Sequence, residues 1–467
     1  MGTNRRTPQE RTTDDLSGRA LDALEATIRG DVLRPSDPSY EDARRVWNGM
    51  IDTRPTLIVR CSGTADVVSA VDFARENDLE VSVRGGGHNV AGTAVHDDAL
   101  VIDLSEMTGV RVDREARTVR AEGGATLGDV DRETQLFGLA TALGAVSETG
   151  IAGLTLNGGY GHLSRQYGLS LDNLISVDVV TADGRVHTAS ADRNEALFWA
   201  IRGGGGAFGV VTSFEYALHE VGPEVYALFV WFRADDAATV MDEFRKWTAE
   251  APREAGALAF TAHVPDLEEF PEDSWGESAL AFLGSYRGDL EDAEEVFRPV
   301  LESVAPIVDF SGPMDYADLQ SMLDEDYPDG MRYYWKSTYL TELSDELVDI
   351  LVEYTDSAPS ALSTIDLWHL GDAVADVPQD ATAFWHRDKP FMFNVEANWT
   401  EPADDDANVA WAREAIAAVE ALPSAAGRYA NFPGLEEDPA AMRYGENYER
   451  LVELKTRYDP TNLFGSV

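Results

Sequence analysis

Three consecutive glycines followed by a histidine carry the clearest chemistry in the chain, in Val83-Arg84-Gly85-Gly86-Gly87-His88-Asn89-Val90-Ala91-Gly92. A glycine run serves neither strand nor helix, because each residue costs conformational entropy and brings no side chain to pack. It does leave backbone N–H groups free to close around an anion as a nest, which suits a pyrophosphate. Arg84 adds a fixed positive charge before the run, and His88 puts an imidazole nucleophile at its far end. These residue types point to a bound dinucleotide, with a flavin expected and His88 bonded to it; a histidine that only hydrogen-bonds is the alternative.

Two further glycine clusters follow. Ser147, Thr149, Gly150, Gly153, Asn157, Gly158 and Gly161 interleave hydroxyl and amide groups with glycines, and Gly203–Gly206 leads into Gly209 and Val211. One glycine-rich loop is a weak signal, and two in one α/β unit are a better one. The third cluster also reads as a tight turn into a buried strand.

The elements that must position these loops alternate. Thr56–Cys61 reads as a strand, Thr64 as the N-cap of a helix with Val67, Val68, Val71 and Ala74 on its buried stripe, and Leu79–Val83 as the next strand. Strands are expected at Leu100–Leu104, 110–112, 118–121 and Leu174–Thr181, with a helix from Thr126 to Gln135. Beyond Gly222-Pro223 the texture changes to aromatic-rich strands and helices, which suggests an antiparallel sheet with helices on one face and the other face free for the flavin.

Composition bounds the rest. The 467 residues exceed one ordinary core. The 84 acidic residues against 37 basic give a net charge of −47, spread along the whole chain, which disfavours nucleic acid and anionic membranes. Such self-repulsion suits a high-salt cytoplasm. The polar Met1–Asp15 stretch lacks a secretory apolar segment, so Arg5-Arg6 reads as part of a tail and the expected location is cytoplasmic. No run of about 18 or more apolar residues suggests a membrane span. The single cysteine, Cys61, precludes an intrachain disulfide, and the scattered histidines give no metal motif, so no metal is expected.

With those residues in place, the chain resembles the berberine bridge enzyme-like flavoproteins of the vanillyl-alcohol oxidase superfamily, whose FAD domain is of the p-cresol methylhydroxylase type. The resemblance rests on Arg84–Asn89, on Gly150–Gly161 with Arg165–Asn173, on Gly203–Phe214, and on Tyr429–Phe432 with Tyr444–Leu451 and Lys455–Pro460. It implies FAD attached to His88 through the 8α-methyl carbon. Many relatives add a second bond from a cysteine. The matching position here is Val146, so the resemblance implies a single link. It also puts Tyr429 and Asn431 near the isoalloxazine ring, and an oxygen-access position near Thr149. Several relatives carry a catalytic tyrosine where this chain has Phe432, which cannot take a proton.

Some relatives carry an acidic base on the corresponding strand at the place of Asp376, so the resemblance implies a replacement base on Ile365–Asp376, read as one strand whose alternation puts Asp372 and Asp376 on one face and His369 on the other, with a plain surface aspartate as the other reading of Asp376. Lys336 and Tyr339 are further groups able to face the flavin. The expected organisation is mixed α/β (α+β): an FAD domain over 1–220 with its core at 54–220, a substrate domain over 221–423, and a C-terminal segment over 424–467 returning to the FAD domain. The expected function is transfer of hydride from a C–H beside a hydroxyl or amine of a small molecule to FAD, with dioxygen as final acceptor. A dehydrogenase with another acceptor and a flavin-binding protein without turnover are the alternatives.

Overall fold

The computed structural model describes residues 16–435 and 440–466; the Met1–Asp15 tail lies outside them. The fold is mixed α/β, built on three main sheets. In the first, Leu57–Arg60 and Val81–Arg84 each run parallel to Leu100–Asp103, and Asp31–Leu33 is added antiparallel at the edge. Two parallel strands need a crossover, and the helix Thr64–Glu76 supplies it, burying Val67, Ala70, Val71 and Ala74 as its spacing predicts. Its N-cap is Gly63 rather than Thr64, which is the first helical residue. The triple-glycine loop therefore leaves the C-terminal end of a parallel strand, where α/β folds collect ligands.

The second sheet is antiparallel, in the order Val110–Asp113, Thr118–Glu122, Val210–Ala217, Leu174–Val180, Val186–Ser190. The helix Leu127–Thr134 starts where Thr126 predicts: Thr126 Oγ1 accepts from Asp129 N at 3.2 Å while Asp129 Oδ2 accepts from Thr126 N at 3.0 Å. This reciprocal cap satisfies two N-terminal donors and places the helix start beside the second glycine cluster, where Leu127 N donates to Thr149 O at 2.9 Å.

All strands of the largest sheet come from 224–399, and their main path runs Val308–Asp309, Glu224–Arg233, Ser278–Tyr286, Ala255–His263, Thr364–His369, Phe391–Trp399, Arg332–Leu340. Helices Ala237–Glu250, Asp345–Asp356 and Asp405–Glu420 cover one face. Ser344 caps the second of these, accepting from Leu347 N at 3.2 Å, and Leu347, Val348 and Leu351 bury its inner stripe, each contributing roughly 1.5–3 kcal/mol. The opposite face is turned toward the glycine loops.

Ile365–Asp376 is not one strand. The strand ends at His369, and Gly371 and Asp372 then take left-handed backbone angles (φ +94° and +47°) that turn the chain into the short helix Ala373–Asp376. Period-two alternation therefore does not extend to Asp372 or Asp376. Among the described residues, no helix is long and apolar enough to cross a membrane, and no cluster of three or more His, Cys, Asp or Glu is arranged to hold a metal.

Candidate active site

The three glycine loops and the free face of the large sheet enclose a cavity of about 1340 Å³. Pockets for single small ligands measure roughly 300–1,000 Å³, so this one has room for a dinucleotide with a substrate beside it. Of the expected cofactor residues, Gly85, Gly86, Gly87, His88, Asn89, Thr149, Gly150, Gly153, Asn157, Gly209, Val211, Tyr429 and Asn431 line it.

The close packing explains why glycines are needed. A Cβ on Gly86 would sit 2.6 Å from Gly150 N, and one on Gly150 would sit 2.4 Å from Gly86 N, so the first two loops touch backbone to backbone.

Five expected residues do other work. Arg84 turns away and donates from Nη1 to Ala43 O at 2.7 Å. Ser147 lines a smaller pocket with Gly86 and His88 and holds Asp324, its Oγ donating at 2.5 Å. Gly92 packs on Ile51, Gly158 on Phe384 and Tyr429, and Gly161 on the Leu143 carbonyl. These three glycines are packed closely against neighbouring chain and do not line the cavity.

His88 is half-buried in the cavity wall, and desolvation of its ring pushes its pKa down to about 4, so the imidazole is neutral near pH 7 with a lone pair available. Its Nε2 is buried without a hydrogen-bond partner among the described residues. An orphaned nitrogen of this kind calls for a bound group. Val146 also lines the cavity. Cys61 lies elsewhere, in the core of the parallel sheet, and burial drives its thiol pKa up, which keeps it unreactive. Tyr429 and Asn431 fasten the C-terminal segment to the second glycine loop: Tyr429 Oη accepts from Gly159 N at 3.0 Å and from Asn431 Nδ2 at 2.9 Å. Phe432 lines the cavity and meets Trp335 edge-on at 5.5 Å.

Asp376 is not on the cavity wall. Its side chain is 60% exposed and pairs with Arg253 Nη2 at 2.6 Å, while the neighbouring Asp372 pairs with Arg165. Asp376 ends in an exposed pair and Asp372 in a pair with the buried Arg165, because the chain turned away at Gly371. Lys336 and Tyr339 also miss the lining: Lys336 Nζ donates to Pro433 O at 3.1 Å, and the Tyr339 hydroxyl meets that of Tyr160 at 3.4 Å.

The acids that do face the cavity are Asp366 and Glu396. Register sets them there. Asp366 pairs with Asn394 and Thr364 with Glu396 on neighbouring antiparallel strands, so the two carboxyls are diagonal neighbours on one face, about 7–8 Å apart at the backbone. Both are 4% exposed. Burial pushes Asp366 up to about 7. Burial and then the charge of Asp366 hold Glu396 well above the usual carboxylate range, against hydrogen bonds from Tyr327 and Asn394. Tyr327 Oη donates to Glu396 Oε2 at 2.7 Å, and Asn394 Nδ2 donates to Oε1 at 2.5 Å. Two buried acids with raised pKa values titrate as a pair and can hold or accept a proton near neutral pH. Trp335, Trp368, Met392 and Leu258 wall the space around them. Strand alternation places Asp366 and Glu396 on this face once register is known; the sequence around them reads only as apolar strand.

Comparison with known proteins agrees with this geometry. The family model described as "FAD binding domain" matches residues 55–190, and "Berberine and berberine like" matches 428–466, which covers the glycine loops and the Tyr429–Phe432 segment. An FAD-linked oxidoreductase of Dictyostelium discoideum is 33% identical over 448 residues, 94% of each chain. The solved 6-hydroxy-D-nicotine oxidase of Arthrobacter nicotinovorans superposes with a TM-score of 0.84 at 28% identity, covering 94% of this chain and 96% of that one. The glucooligosaccharide oxidase of Acremonium strictum, solved with a 6-S-cysteinyl, 8α-N1-histidyl FAD, gives 0.83 at 23% identity, covering 96% and 98%. With a cavity shaped by both matched segments and a relative similar along nearly its full length, this chain belongs to the berberine bridge enzyme-like family of FAD-linked oxidoreductases.

Proposed function

We propose that the protein oxidises a small organic substrate at a C–H beside a hydroxyl or amine, using FAD carried by His88 alone, with dioxygen as electron acceptor. The buried Asp366–Glu396 pair on the cavity wall carries this reading. The relatives' names, a nicotine-type amine and a glucooligosaccharide, mark the range of substrates. FAD, when bound, would supply a hydride acceptor that dioxygen can reoxidise, with hydrogen peroxide as the product.

The chain's own residues do the rest. Asp366 and Glu396 take the proton that leaves the substrate heteroatom, replacing Asp376 in that role, while Tyr327 and Asn394 fix the Glu396 carboxylate. Trp335, Trp368 and Phe432 exclude water around the reacting carbon. The glycine loops hold the dinucleotide, and Val146 in place of a cysteine limits attachment to one bond. The charge of −47 supports a working site in concentrated salt, and a single buried cysteine supports the cytoplasm.

The test is anaerobic bleaching of the flavin absorbance by a panel of alcohols, sugars, phenols and amines, followed by admission of air. Bleaching by at least one class with rapid return of colour and one peroxide per turnover is expected. Bleaching with slow return overturns the oxidase reading, and no bleaching by any class overturns the oxidoreductase site as assigned.

A further inference from the structure

The residue that orients His88 lies outside the glycine loop. Trp47 is 3% exposed, and its indole is stacked on the His88 imidazole with centroids 4.1 Å apart and planes 18° from parallel. The same indole is stacked on Tyr333 at 3.6 Å and 10°, which makes a parallel run of three rings. Its plane is fixed by polar contacts as well. Nε1 donates to Tyr327 O at 2.8 Å, the backbone N donates to Gly87 O at 3.3 Å, and the carbonyl accepts from Gly330 N at 2.9 Å. Asn48 continues the clamp, its Nδ2 donating to Val90 O at 2.6 Å and to Tyr333 O at 2.8 Å. The loop is thus gripped on both sides of His88 and tied to the strand Arg332–Leu340 of the large sheet.

This grip acts on one soft coordinate. The χ2 torsion of a histidine is broad and roughly two-fold, and ring orientation in working histidines is usually set by a hydrogen bond on the far nitrogen. His88 Nε2, the nitrogen left open for a bound group, makes no hydrogen bond among the described residues that would turn the ring. A backbone hydrogen bond within His88 itself also bears on the ring, and the stacked indole is the neighbouring side chain that lies flat on the imidazole and limits its rotation.

We infer that Trp47 is a positioning residue for covalent flavin attachment, holding the imidazole plane from which His88 reaches the 8α carbon. The inference rests on the reading of His88 as the attachment residue. In the attachment step a C–N bond forms between the imidazole and the 8α carbon, the imidazole and the carbon lose one proton each, and the electron pair left on the isoalloxazine passes with both protons to dioxygen as hydrogen peroxide. An imidazole turned out of that plane keeps its lone pair but points it away, so a loss of stacking slows the bond without abolishing binding.

The experiment follows attached and total flavin separately in Trp47→Phe and Trp47→Leu. Protein as purified is incubated with FAD in air, samples are precipitated with acid, and flavin is read in pellet and supernatant. Phenylalanine keeps a flat ring, and attachment within about threefold of the parent protein is expected. Leucine removes it, and attachment at least about tenfold slower is expected, with total bound flavin within twofold. A purely structural role would lower total and attached flavin together in both variants and overturns the inference, as does a leucine variant that attaches at the parental rate. If the leucine variant does not fold, Trp47→Met replaces it, and equal rates for Phe and Met overturn the inference. Failure of the underlying reading looks different: the parent protein then releases all its flavin into the acid supernatant. Withholding dioxygen must stop attachment in every variant, and attachment that continues without it overturns the step as balanced above.

Discussion

The Tyr327 hydroxyl donates to Glu396 Oε2 across 2.7 Å, joining a residue just after the turn Asp324–Asp326 to the middle of a buried strand. The same Tyr327 gives its backbone carbonyl to the Trp47 indole. One tyrosine therefore touches both a buried acid on the cavity wall and the ring stacked on His88.

That arrangement makes the choice of base testable against Asp376. Glu396→Gln and Asp366→Asn keep size and hydrogen-bonding capacity but hold no titratable proton, and each is expected to slow flavin reduction by about 10²–10⁴-fold. Asp376→Asn breaks only an exposed, solvent-screened pair with Arg253 and is expected to leave reduction within twofold. Anaerobic stopped-flow on the three variants decides it. An inert Glu396→Gln together with a crippled Asp376→Asn would restore the surface residue as the base.

The pH profile carries a sign. The pair accepts a proton only when ionised, and burial has moved Asp366 up to about 7. The rate of flavin reduction is expected to rise with pH through an apparent value near 7 and to lose that limb in Asp366→Asn. A rate that is flat from pH 5 to 9 contradicts the assignment.

Asp131 gives a stability counterpart away from the cavity. It is fully buried, accepts from Gln320 Nε2 at 3.0 Å, and has its pKa pushed up to about 7 by burial. The folded chain thus binds its proton more tightly than the unfolded one. That contribution is complete below the ordinary value of 3.8 and is lost as pH rises through about 7. Asp131→Asn retains an oxygen for Gln320 and is expected to raise stability at pH 8 by on the order of 2–4 kcal/mol, at about 1.4 kcal/mol per pKa unit. Thermal melts from pH 5 to 8 should be flatter in the variant, and parallel curves would refute the linkage.

The sequence made the glycine loops legible because their cause is local: Gly86 and Gly150 must pass backbone to backbone, and no other residue fits. The helix at Thr126 was legible for the same reason, since its cap lies within four residues. Asp366 and Glu396 were not, because what makes them special is cross-strand register and burial, and neither leaves a mark in a short window. Asp376 misled because alternation was carried past Gly371, where a left-handed turn ends the strand. Trp47 left no signal at all, since its stacking partners lie 41 and 286 positions away.

One of the chain's four lysines adds a buried tie to the C-terminal return. Lys455 is 7% exposed and donates from Nζ to Ala207 O at 2.7 Å and to Asp459 Oδ2 at 2.6 Å. Ala207 belongs to the cavity wall, so this pair ties the last helix, Tyr448–Tyr458, to the third glycine loop. Lys455→Met leaves the buried carboxylate of Asp459 without its counter-ion, held by the backbone N–H groups of Leu463 and Phe464, and is expected to cost up to about 3–5 kcal/mol, read as a lowered melting temperature with loss of bound flavin. A variant that melts like the parent would show that the loop is held by other contacts.

Charge sets the condition under which all of these measurements apply. Even with every basic residue paired, 47 acids have no basic partner, and acidic residues are spread along the whole chain rather than gathered in one stretch. Their mutual repulsion acts over a screening length of about 30 Å at 0.01 M salt and about 3 Å at 1 M. The melting temperature is therefore expected to climb steeply as KCl rises from about 0.05 M to 1 M and to level once repulsion is screened. Sodium and potassium chlorides should act alike over that range, because screening depends on ionic strength and not on ion type. A melting temperature that does not move between those limits would mean that the acidic surface is balanced locally, and would remove concentrated salt from the proposed working environment.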